Sequence, residues 1–363
     1  MNAGKIWWSQ IGSSLTFLDS IAECMHERKS AVLEVPENLP WREEFFEEIA
    51  VRRNSFSSDR MMKRLEWNPT EEPGMSVLKT LCQKSVILEY WPTQSPAAFL
   101  ASRKDLLLHS CEIWITGIRT SDELERWKSF AVEYRNAMKD SSPCASFYLE
   151  FPIRKGADPS GAPVEREDQP RRLLYTVEKC DCRVFALESL SAMQRWDVSQ
   201  IAPNKNEYRA ELALCISDGD PELCQALLEE GTELLLNLAD TSRHAMNAVR
   251  PALSELSDQE IFSSVWKVQL ILLMPKLENF RMQVIREYES QLKTCLPITN
   301  SNGDSVTEVC DLEIANLRYL GEHGQIKYST DVWNKLNICR GVRNLLAHNK
   351  IVTYSDVLFC MNL

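Results

Sequence analysis

Apolar positions follow two rhythms along the chain. Up to about residue 200, short runs of branched and aromatic residues alternate with stretches whose apolar positions recur every three or four. Ala31–Val35, Ser85–Tyr90, Cys111–Thr116, Ser146–Phe151 and Cys182–Leu187 read as strands. Leu15–Met25, Trp41–Arg53 and Ser121–Lys139 read as helices; the second is entered through Pro40 and the third carries Asp122 and Glu123 in its first turn. Strands alternating with helices predict an α/β domain over residues 1–200, with a mostly parallel sheet covered on both faces. From residue 204 onward the period is helical: Asn206–Cys215, Leu223–Ala239 led in by Asp220 and Pro221, Asp258–Met274, Lys276–Leu292, Val306–His323, and a last segment starting at Asp331. Pro275 makes the third and fourth of these either one kinked helix or two. Residues 204–363 therefore predict an all-α bundle. Residues 154–172, rich in Pro, Gly and charge, predict a loop or hairpin tip. Its Arg154, Lys155, Arg171 and Arg172 form the basic cluster of the first half, open to a solvated role or to contact with RNA or a partner.

The order strand, turn, helix over Ala31–Arg53 resembles the opening of the P-loop ATPases. A phosphate cradle needs glycines, so that backbone amides approach the oxygens, and a lysine to reach the terminal phosphates. The corresponding turn, Pro36-Glu-Asn-Leu-Pro-Trp41, has neither, and carries a carboxylate where phosphate would sit. The resemblance thus implies a degenerate P-loop-like domain that senses or regulates and does not hydrolyse ATP. Glu89, closing the expected second strand, is either a metal-binding acid or a polar strand-end residue.

Catalytic residue types meet at one place. Val332, Leu336, Cys339, Val342 and Leu346 mark one apolar face of a helix, with Ser329, Thr330 or Asp331 able to cap its start. On that helix Asn344 and His348 stand one turn apart, and Arg343 lies about 140° round from His348. An imidazole can move the proton of a ribose hydroxyl or of a leaving oxygen, and a guanidinium can hold two phosphate oxygens as charge develops. With the 2′-hydroxyl as nucleophile, no metal is needed.

Arg343-Asn344-x-x-x-His348, followed by Ile351-Val-Thr-Tyr-Ser-Asp356, resembles the signature of HEPN domains (higher eukaryotes and prokaryotes nucleotide-binding). Asp311–Leu320 resembles the helix that precedes the motif in HEPN modules of bacterial conflict and phage-defence proteins. The resemblance reaches across the helical half and is most specific from Asp311 onward. It implies a helical, HEPN-like domain that forms a homodimer, brings two motifs to the seam, and in active members cuts RNA without metal. Glu313, on the preceding helix, becomes a supporting carboxylate able to orient Arg343 or His348. Lys350 stands where one toxin subgroup carries tyrosine, so that subgroup is not matched.

Bulk properties narrow the picture further. A formal charge of −11 opposes broad electrostatic binding to nucleic acid, so contact with RNA is expected to be local. The 12 cysteines are scattered, with Cys180 and Cys182 the one close pair, and no second pair stands at zinc-ligand spacing. Reduced thiols in a cytoplasmic protein are expected, together with no metal and no cofactor. No signal peptide is legible at Met1–Trp8 and no apolar run reaches membrane-spanning length. His244 and His323 read as surface or cap histidines, and Trp266, Phe280, Tyr288, Tyr319 and Trp333 as core or dimer interface. The function expected is a metal-independent HEPN-type endoribonuclease, held in check or triggered by the first half, in a bacterial defence or toxin system. The alternative is an inactive HEPN adaptor that dimerises and docks a defence-system partner.

Overall fold

A computed structural model describes the chain except residues 1, 56–59, 139–142, 154–168, 195–202, 252–256, 300–302 and 304. It divides into two compact units, Met1–Asp181 and Cys182–Leu363.

The first unit is built on five parallel strands: β1 (Ala31–Val35), β2 (Met61–Glu66), β3 (Cys111–Thr116), β4 (Ser146–Pro152) and β5 (Arg171–Leu174). Their order across the sheet is β2-β3-β4-β1-β5. Successive side chains on a strand point to opposite faces. Ile113, Ile115, Phe147 and Leu149 pack against Trp127, Phe130 and Tyr134 of α7 (Ser121–Met138), with α4 (Pro73–Leu81), α5 (Lys84–Glu89) and α6 (Pro96–Ser102) completing that layer. Trp114 and Tyr148, at alternate positions, stack on each other, and Trp114 meets Phe45 and Phe46 of α3 (Arg42–Asn54) edge-on. There α1 (Ala3–Gln10) and α2 (Gly12–His26) form the other layer with α3.

Two expected strands are helices, and two real strands went unread. Ser85–Tyr90 lies mostly within α5: Val86 alone is fully buried, and the Gln83 carbonyl accepts from the amides of Val86 and Ile87. Glu89 is therefore a helix residue, ion-paired with Arg103. Cys182–Leu187 lies within α8 (Lys179–Gln194), where Cys182, Phe185, Ala186, Ser189 and Leu190 are buried at helical spacing. A six-residue window does not separate a period of 2 from one of 3.6. β2 and β5 are edge strands, and an edge tolerates the Lys63, Arg64, Arg171 and Arg172 that hid them. Arg171 pairs with Glu23 at 2.8 Å and Arg172 with Glu34 at 2.7 Å; Arg154 and Lys155 lie outside the described residues.

The second unit is helical. Because Ala186 and Leu190 of α8 pack with α9 (Pro203–Ser217), α10 (Pro221–Glu229), α11 (Glu233–Leu236) and α12 (Leu238–Val249), the break between units precedes α8's apolar face, ahead of the expected division between residues 200 and 204. Leu223–Ala239 is not one helix: Gly231 turns at φ +65° between α10 and α11. α13 (Asp258–Cys295) runs unbroken through Pro275. Proline removes the bond to the carbonyl four residues back, here that of Ile271, and both residues face solvent, where water can take the freed oxygen. Val306–His323 is α-helical only over its second half. Val306 belongs to a two-stranded ribbon, β6 (Ile298–Thr299) with β7 (Ser305–Val306), and a single 3-10 turn, Val309–Asp311, precedes α14 (Ile314–Glu322). α15 (Thr330–Ala347) and α16 (Tyr354–Met361) close the chain. Val332, Leu336, Cys339, Val342 and Leu346 of α15 all enter the core built on α13. Among the described residues no helix is long and apolar enough to cross a membrane.

Candidate active site

α15 begins with Ser329, whose hydroxyl accepts from the Val332 amide, and ends at His348. There the chain makes a Schellman turn. Asn349, in the left-handed region at φ 55°, donates to the Leu346 carbonyl, and Lys350 donates to that of Leu345 at 2.9 Å. The Leu346 carbonyl also accepts from the Trp266 indole at 2.9 Å. Just beyond, Gln269 of α13, 2% exposed, pairs with both backbone groups of Val352: its oxygen accepts from the amide at 2.8 Å and its nitrogen donates to the carbonyl at 3.0 Å. The backbone around His348 is therefore clamped on both sides, while the imidazole and the Asn344 amide are exposed to solvent.

Arg343 is held differently. Its guanidinium meets the Glu313 carboxylate at 2.6 Å, both side chains being partly exposed. Glu313 is also the N-cap of α14, in a capping box with Asn316, so one carboxylate starts one helix and holds the arginine of another. Arg281 of α13 fixes the approach to Glu313 by donating to the carbonyls of Cys310 and Leu312 at 2.7 and 2.8 Å. Arg281 also hydrogen-bonds Glu278 and holds that carboxyl below its usual range. Among the described residues no hydrogen bond or ion pair joins Arg343 to His348, which agrees with their separation of about 140° around the helix.

The four residues singled out from sequence thus fall into two sets. Glu313 and Arg343 are brought together, and Asn344 and His348 share the open side of α15. Gln269 and Arg281 went unnoticed, and Trp266, expected as core or dimer interface, also hydrogen-bonds the motif helix. A glutamine between Val268 and Leu270 in a buried run was the available signal, since a buried amide needs partners. The other histidines serve elsewhere. His323 ends α14 with its ring on the Tyr319 carbonyl, and exposed His244 meets Glu230 at 2.8 Å. Of the aromatics, Phe280 and Tyr288 are buried, Trp333 packs on Gly321, and Tyr319 is exposed. Among the described residues no group of three His, Cys, Asp or Glu side chains is arranged to hold a metal ion.

In the first unit, the turn after β1 is filled by the chain itself. Trp41 is left-handed at φ 43°, the Trp8 indole donates to the Pro40 carbonyl at 2.9 Å, and α1 lies so close that a Cβ on Gly4 would stand 2.6 Å from Trp41. Asn2 hydrogen-bonds Glu44 in the first turn of α3, and Arg42 is engaged by Glu150. Side chains fill the turn that follows β1.

No family model matches the sequence. Nor does the sequence of any curated protein. Among solved structures, the Aeropyrum pernix ORC1 protein in complex with DNA is similar at a TM-score of 0.33 and 12% identity, over 96% of this chain and 91% of that one. A likeness at that level leaves the assignment of function to the residues themselves.

Proposed function

We propose that the second unit is a HEPN-like domain acting as a metal-independent endoribonuclease. His348 is the general acid/base, Asn344 positions it or the phosphate, and Arg343 neutralises charge on the phosphate oxygens. What carries the reading is the end of α15: an imidazole and an amide exposed on one side, on backbone fixed by Trp266, Gln269 and the Schellman turn, with a guanidinium five residues away. Such rigidity suits proton transfer, which needs its groups within hydrogen-bond reach of the reacting atom. In the step proposed, His348 takes the proton of a ribose 2′-hydroxyl, the oxygen attacks the adjacent phosphorus, and the P–O5′ bond breaks as the 5′-oxygen takes a proton from the imidazolium of the second motif, to give a 2′,3′-cyclic phosphate. Arg343 exchanges Glu313 for the phosphate oxygens as charge builds. A homodimer through this unit supplies the second motif that a single helix does not bring round.

The first unit, with β1 inside its parallel sheet and a filled turn ahead of α3, fits a degenerate P-loop-like regulator. The setting proposed is a bacterial defence or toxin system. A second reading, an inactive HEPN adaptor that binds a defence-system protein, is favoured by the Arg343–Glu313 ion pair, which leaves the arginine already satisfied.

Arg343→Ala and His348→Ala in the full chain separate the two. The nuclease reading expects folded proteins that no longer cut single-stranded RNA in EDTA, against cleavage by the unaltered protein. The adaptor reading expects no cleavage by any of the three.

A further inference from the structure

The open side of α15 holds more than the motif. Arg340, Asn344 and His348 are spaced by four, so each is turned about 40° from the last and the three descend one shallow stripe over roughly 12 Å of helix. Arg343 lies off that stripe and is engaged by Glu313. Arg340, half-buried, makes no hydrogen bond or ion pair with any described residue. Its nitrogens reach solvent from a partly buried stem, so the donors of the guanidinium stand open to an anion from outside.

Two further observations mark the stripe as a contact surface for a polyanion. From Val332 to Lys350 the chain has no Asp or Glu, in a protein of formal charge −11; of the four cations in it, Lys335 pairs with Asp331 and Arg343 with Glu313, which leaves Arg340 and Lys350. Asn337 lies on the same side of the helix, where its amide accepts from Arg318 and donates to the Trp333 carbonyl. Gly341, one residue beyond Arg340, is also exposed in mid-helix, and a Cβ built on it meets nothing within 4 Å. Glycine in a helix interior is unfavourable relative to alanine. No described residue uses the space it leaves, which suits something that approaches from outside.

Resting on the ribonuclease reading, we infer that Arg340 is a substrate-binding residue: it grips a phosphate of the RNA strand next to the scissile one, and Gly341 lets that strand lie against the helix backbone. The stripe sets which stretch of single-stranded RNA is held while His348 acts.

The test uses the full chain and a fluorescent single-stranded RNA with 2′-O-methyl riboses, which binds without being cut. Arg340→Ala is expected to weaken binding about tenfold and to lower the slope of log affinity against log salt by about 0.7, the value for one phosphate contact on a single strand. Arg340→Lys recovers part of both, and Arg286→Ala, an equal charge loss at an exposed site on α13, changes neither. Gly341→Glu, whose side chain enters open space, abolishes binding while the melting temperature holds. Wild-type affinity and slope in Arg340→Ala, or wild-type binding in Gly341→Glu, overturns the inference. So does a Gly341→Glu protein that changes its self-association while binding RNA normally, which makes the stripe a protein interface. If RNA binds through Arg340 yet is never cut, the ribonuclease reading falls and the phosphate contact of Arg340 alone stands. If RNA is cut equally well by Arg340→Ala, the reverse holds.

Discussion

Gln269→Leu removes the clamp behind the motif without touching it. The wild-type amide makes three bonds in the core, to the Val352 amide at 2.8 Å, to the Val352 carbonyl at 3.0 Å and to the Tyr208 hydroxyl at 3.1 Å. Leucine fills a similar volume but leaves both backbone groups of Val352 unpaired, at about 1–3 kcal/mol each, and recovers about 1 kcal/mol through apolar burial. The net loss is about 1–5 kcal/mol, felt at the loop that follows His348. That corresponds to a local opening constant raised about 5- to 5000-fold, since each ~1.4 kcal/mol is tenfold. Native-state hydrogen exchange at the Val352 amide reads it directly, with the amides of β1 as an internal control. An increase under about threefold refutes the reasoning and means that water already serves these groups.

Three other outcomes follow from the same geometry. Gly341→Ala, with open space around the new methyl, raises the stability of the second unit by about 0.5–1 kcal/mol in thermal melts, and a decrease contradicts the helix assignment there. Glu278, held below its usual range by Arg281, contributes stability that is present above the ordinary glutamate value of about 4.3 and is lost as pH falls through the lowered one. Glu278→Gln therefore flattens the acid limb of the stability profile, and an unchanged limb assigns the acid sensitivity elsewhere. At pH 8, iodoacetamide labels exposed Cys310 well ahead of Cys82, whose thiol burial pushes up to about 11, and equal labelling rates contradict the packing around α4.

What could be read from the letters depended on how much of each element is buried. β1, β3 and β4 lie inside the sheet, and their apolar runs are unmistakable. β2 and β5 are edges whose polar letters are allowed by position alone, and Val86 and Phe185 sit in helices too locally ambiguous for a short window. The motif helix was legible to within a residue because five apolar positions and a capping serine agree. The pairing of Arg343 with Glu313 rather than His348 depended on where a 3-10 turn puts the start of α14, and Arg281 sets that turn from a distant stretch of chain. Arg340 was visible four residues before Asn344, but only knowledge of which cations are already paired distinguishes it.

The nature of the RNA ends tests the central proposal most directly. The purified chain, in EDTA, is mixed with an oligoribonucleotide carrying a single 2′-deoxy substitution at each position in turn, and the products are resolved by mass. The account predicts 2′,3′-cyclic phosphate ends, no cut on the 3′ side of a deoxy residue, and no products from His348→Ala. Intact RNA from the unaltered chain, or cleavage that persists beside a 2′-deoxy sugar or without His348, contradicts it.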